Sequence, residues 1–127
     1  KAYRLHARDV YFHLRLAWER AVEEVLLRKV VLRFREGVET NRLSEVTVED
    51  VDVAQVNDAM TKCSKYAHDK APMGNIAIPP AGDLLDDIEA LETWRLALER
   101  RSGKTKDKRK LAGFGVAVPS TAGRSPT

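Results

Sequence analysis

Between Arg4 and Arg35 the chain has neither proline nor glycine, and apolar residues return every three to four positions: Leu14, Trp18, Ala21, Val22 and Val25, preceded by Val10 and Tyr11. That period predicts a long amphipathic helix. The β-branched pair Val30-Val31 invites a bend near residues 27–29, and Gly37 is placed to terminate the element. Residues 37–46 read as a loop. Thr47 to Asp50 has the form of a capping box with Asp in the usual Glu position. It opens a second helix to about Ala67, with Val53, Val56, Ala59, Met60 and Cys63 as its apolar face. Three prolines and two glycines make residues 70–82 a connector. Asp83 then reads as the N-cap of a third helix with a stripe of Leu84, Ile88, Leu91 and Leu98. Asp86 and Asp87 sit near its positive end, Arg95, Arg100 and Arg101 toward its negative end, and Gly103 is the expected stop.

Residues 104–127, Lys-rich and then Gly/Ser/Pro-rich, read as a flexible tail. The organisation is therefore a helical domain over residues 1–103 and a tail over 104–127. The fold class is all-α: an elongated helical bundle, completed by an intra-chain helix or by a second subunit.

The chain's 127 residues suffice for one core. Its net charge of +3 conceals a division. Residues 1–100 hold 15 Lys/Arg against 18 Asp/Glu, whereas residues 101–127 hold 7 against 1. The body is mildly acidic and the basic character sits at the C-terminal end, so overall basicity is no argument for nucleic-acid binding by the body. One cysteine, Cys63, excludes an internal disulfide and fits a reducing compartment; the cytoplasm is the expected location. No apolar run approaches the roughly 18 residues of a membrane span. The chain opens on Lys1 without a signal-peptide pattern, and reads as a piece of a longer protein.

Two Arg–Glu pairs have i, i+4 spacing on the first helix: Arg15–Glu19 and Arg20–Glu24. At about 100° per residue, Arg15 and Glu19 fall on the shoulder of the Trp18 stripe, and Arg20 and Glu24 on the solvent side. Any such pair is by default a surface ion pair worth a few tenths of a kcal/mol, but the shoulder position can line a groove. On the second helix the core line runs through Val56, Met60 and Cys63. Ser64, Thr61 and His68 share one flank, Lys62 lies on the other, and Cys63 points away from His68. His68, at the helix end, reads either as a cap meeting the negative dipole end or as a general acid/base. His6, Asp9 and His13 form a polar face of the first helix rather than a metal site. Ser102 to Thr105 imitates a phosphate-binding loop but lacks the required glycine, that position being Leu98, and no strand precedes it. No metal or cofactor is expected in this fragment.

The stretches LRLAWERAVEEVLLRKVVLRFREGVET, DAMTKCSKYAHD and IPPAGDLLDDIEALETW together resemble the C-terminal region of SMC/RecF-like bacterial ATPases related to anticodon nucleases, the wobble-nucleotide-excising tRNases. The resemblance covers roughly residues 8–97, with no ATP-binding segment. It implies a HEPN-like helical domain, often dimeric, that cleaves RNA, such as a tRNA, without metal. ATP and Mg would belong only to the ATPase domain of the parent chain. By position, the resemblance assigns catalysis to Arg15, Glu19 and His68, with Arg20 and Glu24 as an alternative pair of the same spacing. Lys62 and Ser64 are implied to hold the substrate phosphate, Lys62 standing where such domains carry Arg. The expected function is an endoribonuclease effector of an ATPase-containing defence protein; the alternative is a non-catalytic dimerisation or partner-docking domain.

Overall fold

The computed structural model describes residues 2–67 and 77–113, apart from the side chains of Ala2, Arg4 and Leu5. The chain is all-α, with no strand among the described residues. Helix α1 spans Ala2–Ala21 and continues into a wider π turn over Val22–Leu26. A 3-10 turn covers Thr40–Glu45, α2 spans Asp50–Ala67, and α3 runs for 31 residues over Ala81–Leu111.

The first helix stops earlier than the sequence predicts. Its last turn closes through Leu27 N–H to Val22 O at 2.9 Å and Lys29 N–H to Glu23 O at 2.9 Å. Arg28 (φ 50°) and Lys29 (φ 62°) then both adopt left-handed backbone, a conformation that costs roughly 1–2 kcal/mol per non-glycine residue. Tertiary bonds hold it. Arg35 donates to the Lys29 and Val30 carbonyls, Glu39 N–H donates to Val30 O at 2.8 Å, and Arg28 pairs with Glu45 at 3.2 Å. The expected bend is thus a complete break, and Gly37 terminates nothing.

The start of α2 is also shifted. The capping carboxylate is Asp52, whose Oδ2 accepts the Glu49 N–H at 2.9 Å. This is one half of a capping box two residues beyond the expected one. Thr47 instead shares a hydrogen bond with Thr105 at 3.1 Å. Helix α3 has Pro80 as its N-cap, so Asp83 lies inside its first turn rather than capping it. It passes through Gly103, and its last turn closes with the Gly113 N–H on Lys110 O, Gly113 having a φ of 84°. Gly103 therefore does not end the helix, and residues 104–111 are helical. Residues 114–127 lie outside the described residues.

Tyr3 donates to Pro79 O, Tyr11 to Asp87, and Trp18 faces Trp94. The constant offset of 76 residues shows that α1 and α3 run parallel. Helix α2 meets them in descending order, Asp52 against Trp94 and Lys62 against Asp87, and is antiparallel to both. The core is Ala7, Tyr11, Leu14, Trp18, Ala21 and Val25 of the first helix, with Cys63, Leu84, Trp94 and Leu98. The predicted α1 stripe is therefore the buried one. Val53 is half exposed and Ile88 40% exposed, contrary to the expected stripes. The Trp18 and Trp94 rings lie 4.9 Å apart, a pairing worth about 0.5–1.5 kcal/mol beyond area burial. No helix among the described residues is long and apolar enough to cross a membrane.

Candidate functional site

The antiparallel packing of α1 and α2 brings Arg15 and Ser64 together although 49 residues separate them. Arg15 Nε donates to Ser64 Oγ at 3.1 Å, and its Nη2 lies 3.6 Å from Glu19 Oε2. Arg15 and Glu19 hold the α1 shoulder that the helical wheel gives them, each partly exposed (side chains 32% and 26%). Glu19 faces a second guanidinium as well. Arg33 Nη1 stands 3.5 Å from Glu19 Oε1, while Arg33 Nε and backbone N–H both donate to Glu23, at 2.5 and 3.0 Å. These Arg33 donors, the backbone one foremost, hold the Glu23 carboxyl below the usual carboxylate range.

Beside this chain of charges lies an open crevice of about 310 Å³, lined by Glu19, Glu23 and Arg33 and by Val22, Val56 and Met60. The chemistry follows from the members of the charge chain, of which Glu19, Glu23 and Arg33 also line the crevice. Both guanidinium groups stand farther from Glu19 than a tight ion pair, so a phosphate can compete with that carboxylate; Arg33 is also held by Glu23, which leaves Arg15 the freer fork. Ser64 Oγ accepts from Arg15 and keeps its own O–H to donate. Arg33 is the member that sequence reasoning misses. On a continuous helix it would stand fourteen residues beyond Glu19; only the break after Leu26 returns it to the α1–α2 crevice.

Lys62 is elsewhere, on the α3 side of α2. Its Nζ lies 2.8 Å from Asp87 Oδ2 and 3.0 Å from Oδ1, and Tyr11 donates to the same carboxylate at 2.7 Å. The hydrogen bond to Asp87 raises the ammonium pKa. Burial, with the Asp87 contact added, raises that of the Tyr11 phenol. Both groups keep their protons at neutral pH and tie α3 to its neighbours. Lys62 and Asp87 border a cavity of about 190 Å³ that also touches Trp18, Cys63 and Asp58. Burial pushes the Cys63 thiol up to about 11, which leaves it protonated and a poor nucleophile. Arg20 and Glu24 pair at 3.0 Å on the outer surface, away from the crevice. Among the described residues no three His, Cys, Asp or Glu side chains gather closely enough to hold a metal ion. His68 lies outside the described residues.

At the opposite end of α2 a second charged cluster is buried. Asp52, 2% exposed, accepts from Trp94 Nε1 at 3.0 Å, from Arg101 Nη2 at 2.5 Å and from the Glu49 N–H. Burial alone would raise its pKa, but these donors outweigh it and the carboxyl stays below its ordinary value. No protein-family model, no curated protein and no solved structure matches the chain.

Proposed function

We propose that this chain is a metal-independent endoribonuclease domain of the HEPN kind, with a tRNA anticodon loop as candidate substrate, serving as effector of an ATPase-containing defence protein. The observation carrying the reading is the 3.1 Å contact between Arg15 and Ser64 beside Glu19. Residues singled out from two remote segments meet on one partly exposed flank. In this reading the 2′-hydroxyl of RNA attacks the adjacent phosphorus and the 5′-oxygen leaves, giving a 2′,3′-cyclic phosphate and a 5′-hydroxyl. Arg15 stabilises charge on the non-bridging oxygens, Ser64 donates to the phosphate, and Glu19 orients Arg15. The resemblance assigns proton transfer to His68.

The test is cleavage of labelled RNA in chelator. Arg15→Ala is expected to lower the rate about 10²–10³-fold and His68→Ala to abolish it, both with unchanged circular dichroism. Arg15→Lys, which keeps charge but loses the planar fork, should fall between parent and Arg15→Ala. A parent chain that leaves RNA intact, or an Arg15→Ala chain of full activity, sinks the reading.

One observation favours the other class of function, a non-catalytic dimerisation or docking module. Lys62 is engaged by Asp87 within the fold, so an expected phosphate ligand serves as a structural tie.

A further inference from the structure

The Lys104–Lys110 run expected in a tail is the end of α3, and with Arg100 and Arg101 it presents two rows. Arg101, Thr105 and Arg109, four apart, face inward. Arg101 binds Asp52 at 2.5 Å and Glu49 at 2.8 Å, Thr105 meets Thr47, and Arg109 donates to the carbonyls of Leu43 and Val46 at 3.0 and 2.7 Å. Arg100, Lys104 and Lys108, one position earlier in each turn, form the outer row. All three are exposed, and none has an ion-pair partner among the described residues. The inner row fixes the helix to α2 and the 3-10 turn. The outer row is thereby presented at a set spacing of about 6 Å per step along the axis, comparable with that of neighbouring phosphates.

Charge along α3 confines what this ridge can hold. From Ala81 to Glu99 the helix carries six carboxylates and one cation, Arg95; from Arg100 to Lys110 it carries seven cations and one carboxylate, Asp107. A polyanion is repelled by the first part and attracted by the second. Between Arg100 and Lys110 the helix carries no large apolar side chain; Leu98 is buried, and the exposed Leu96 and Leu111 stand singly beyond the two ends of the row. The outer row therefore lacks the free apolar face that a lipid-surface helix needs. Because the inner row has already ordered the helix, less ordering remains to be done on binding.

We infer that Arg100, Lys104 and Lys108 form a docking ridge for the phosphate backbone of single-stranded RNA. The identity of the polyanion rests on the proposed function; the ridge itself does not. The probe is a fluorescent 2′-O-methyl oligonucleotide, which no 2′-hydroxyl chemistry can cleave, titrated at several salt concentrations. Arg100→Gln/Lys104→Gln/Lys108→Gln should lower the slope of log Kd against log salt by about 2, from roughly 0.7 per lost phosphate contact, with unchanged circular dichroism. Arg100→Lys/Lys104→Arg/Lys108→Arg should keep the parent slope, since a point charge suffices for backbone contact. An unchanged slope in the glutamine variant overturns the ridge while leaving the cleavage reading intact. Ridge-dependent binding by a parent that cleaves no RNA keeps the ridge and sinks the cleavage reading. A parent chain that ignores the oligonucleotide but binds anionic vesicles, an acidic peptide or a second copy of itself overturns the RNA assignment.

Discussion

An arginine–carboxylate cluster lies against each end of α2, and the two differ in burial and in how fully their central carboxylate is engaged. At the N-terminal end Asp52 is almost wholly buried, and its donors, Arg101, the Glu49 N–H and Trp94, lie 2.5 to 3.0 Å away. Toward the C-terminal end Arg15, Glu19 and Arg33 stand in partial solvent at 3.5 and 3.6 Å, with Ser64 on one side and an open crevice on the other. Saturation is the difference. A buried carboxylate that already accepts three hydrogen bonds has little to offer a ligand and much to lose by mutation. Arg15, held at 3.1 and 3.6 Å, costs less to disturb and has donors to spare.

Substitution breaks the contrast most directly. Asp52→Ala strands the Trp94 N–H, the Glu49 N–H and part of Arg101, and should cost about 3 kcal/mol, lowering Tm by about 10 °C. Ser64→Ala, in the open cluster, should cost less than about 1 kcal/mol. Equal losses in thermal unfolding would abolish the distinction. Acid titration sharpens it. The folded-state pKa of Asp52 lies below that of the unfolded chain, so its contribution is complete above about pH 4 and drains away as pH falls through the depressed value. Glu45 has the same sign: burial opposes ionisation there, but Arg28 and Arg42 outweigh it. The parent should therefore lose stability steeply below about pH 4 and Asp52→Ala more gently, read as urea midpoints against pH. The smallest effect calibrates the scale. A Cβ at Gly103 would meet nothing within 4 Å, so Gly103→Ala should gain about 0.5–1 kcal/mol.

What the sequence made legible was local. The all-α class and the α1 stripe follow from a 3.6-residue period that burial obeys, because Tyr11, Leu14 and Trp18 have only one apolar face to bury. The wheel likewise put Arg15, Glu19 and Ser64 on shoulders that adjoin. The errors share one origin, which is non-local bonding. Val30-Val31 signals a bend near residues 27–29, but nothing between Arg4 and Arg35 announces a complete break, because what sustains it is Arg35, Glu39 and Glu45 folding back on the chain. Thr47–Asp50 and Glu49–Asp52 have the same three-residue spacing, and the second prevails because only Asp52 also reaches Trp94 and Arg101. A mid-helix glycine costs about 1 kcal/mol, which the inward ties of Arg101, Thr105 and Arg109 offset. Arg33 was illegible for the same reason as the break.

The fixed offset of 76 residues between α1 and α3 also has a kinetic meaning. Trp18 leaves the ribosome long before Trp94 exists to cover it. At about 5–20 residues per second the wait is roughly 4–15 s, during which α1 has only α2 to lean on. Synthesis halted before α3 would leave an indole-bearing surface open to chaperones and proteases.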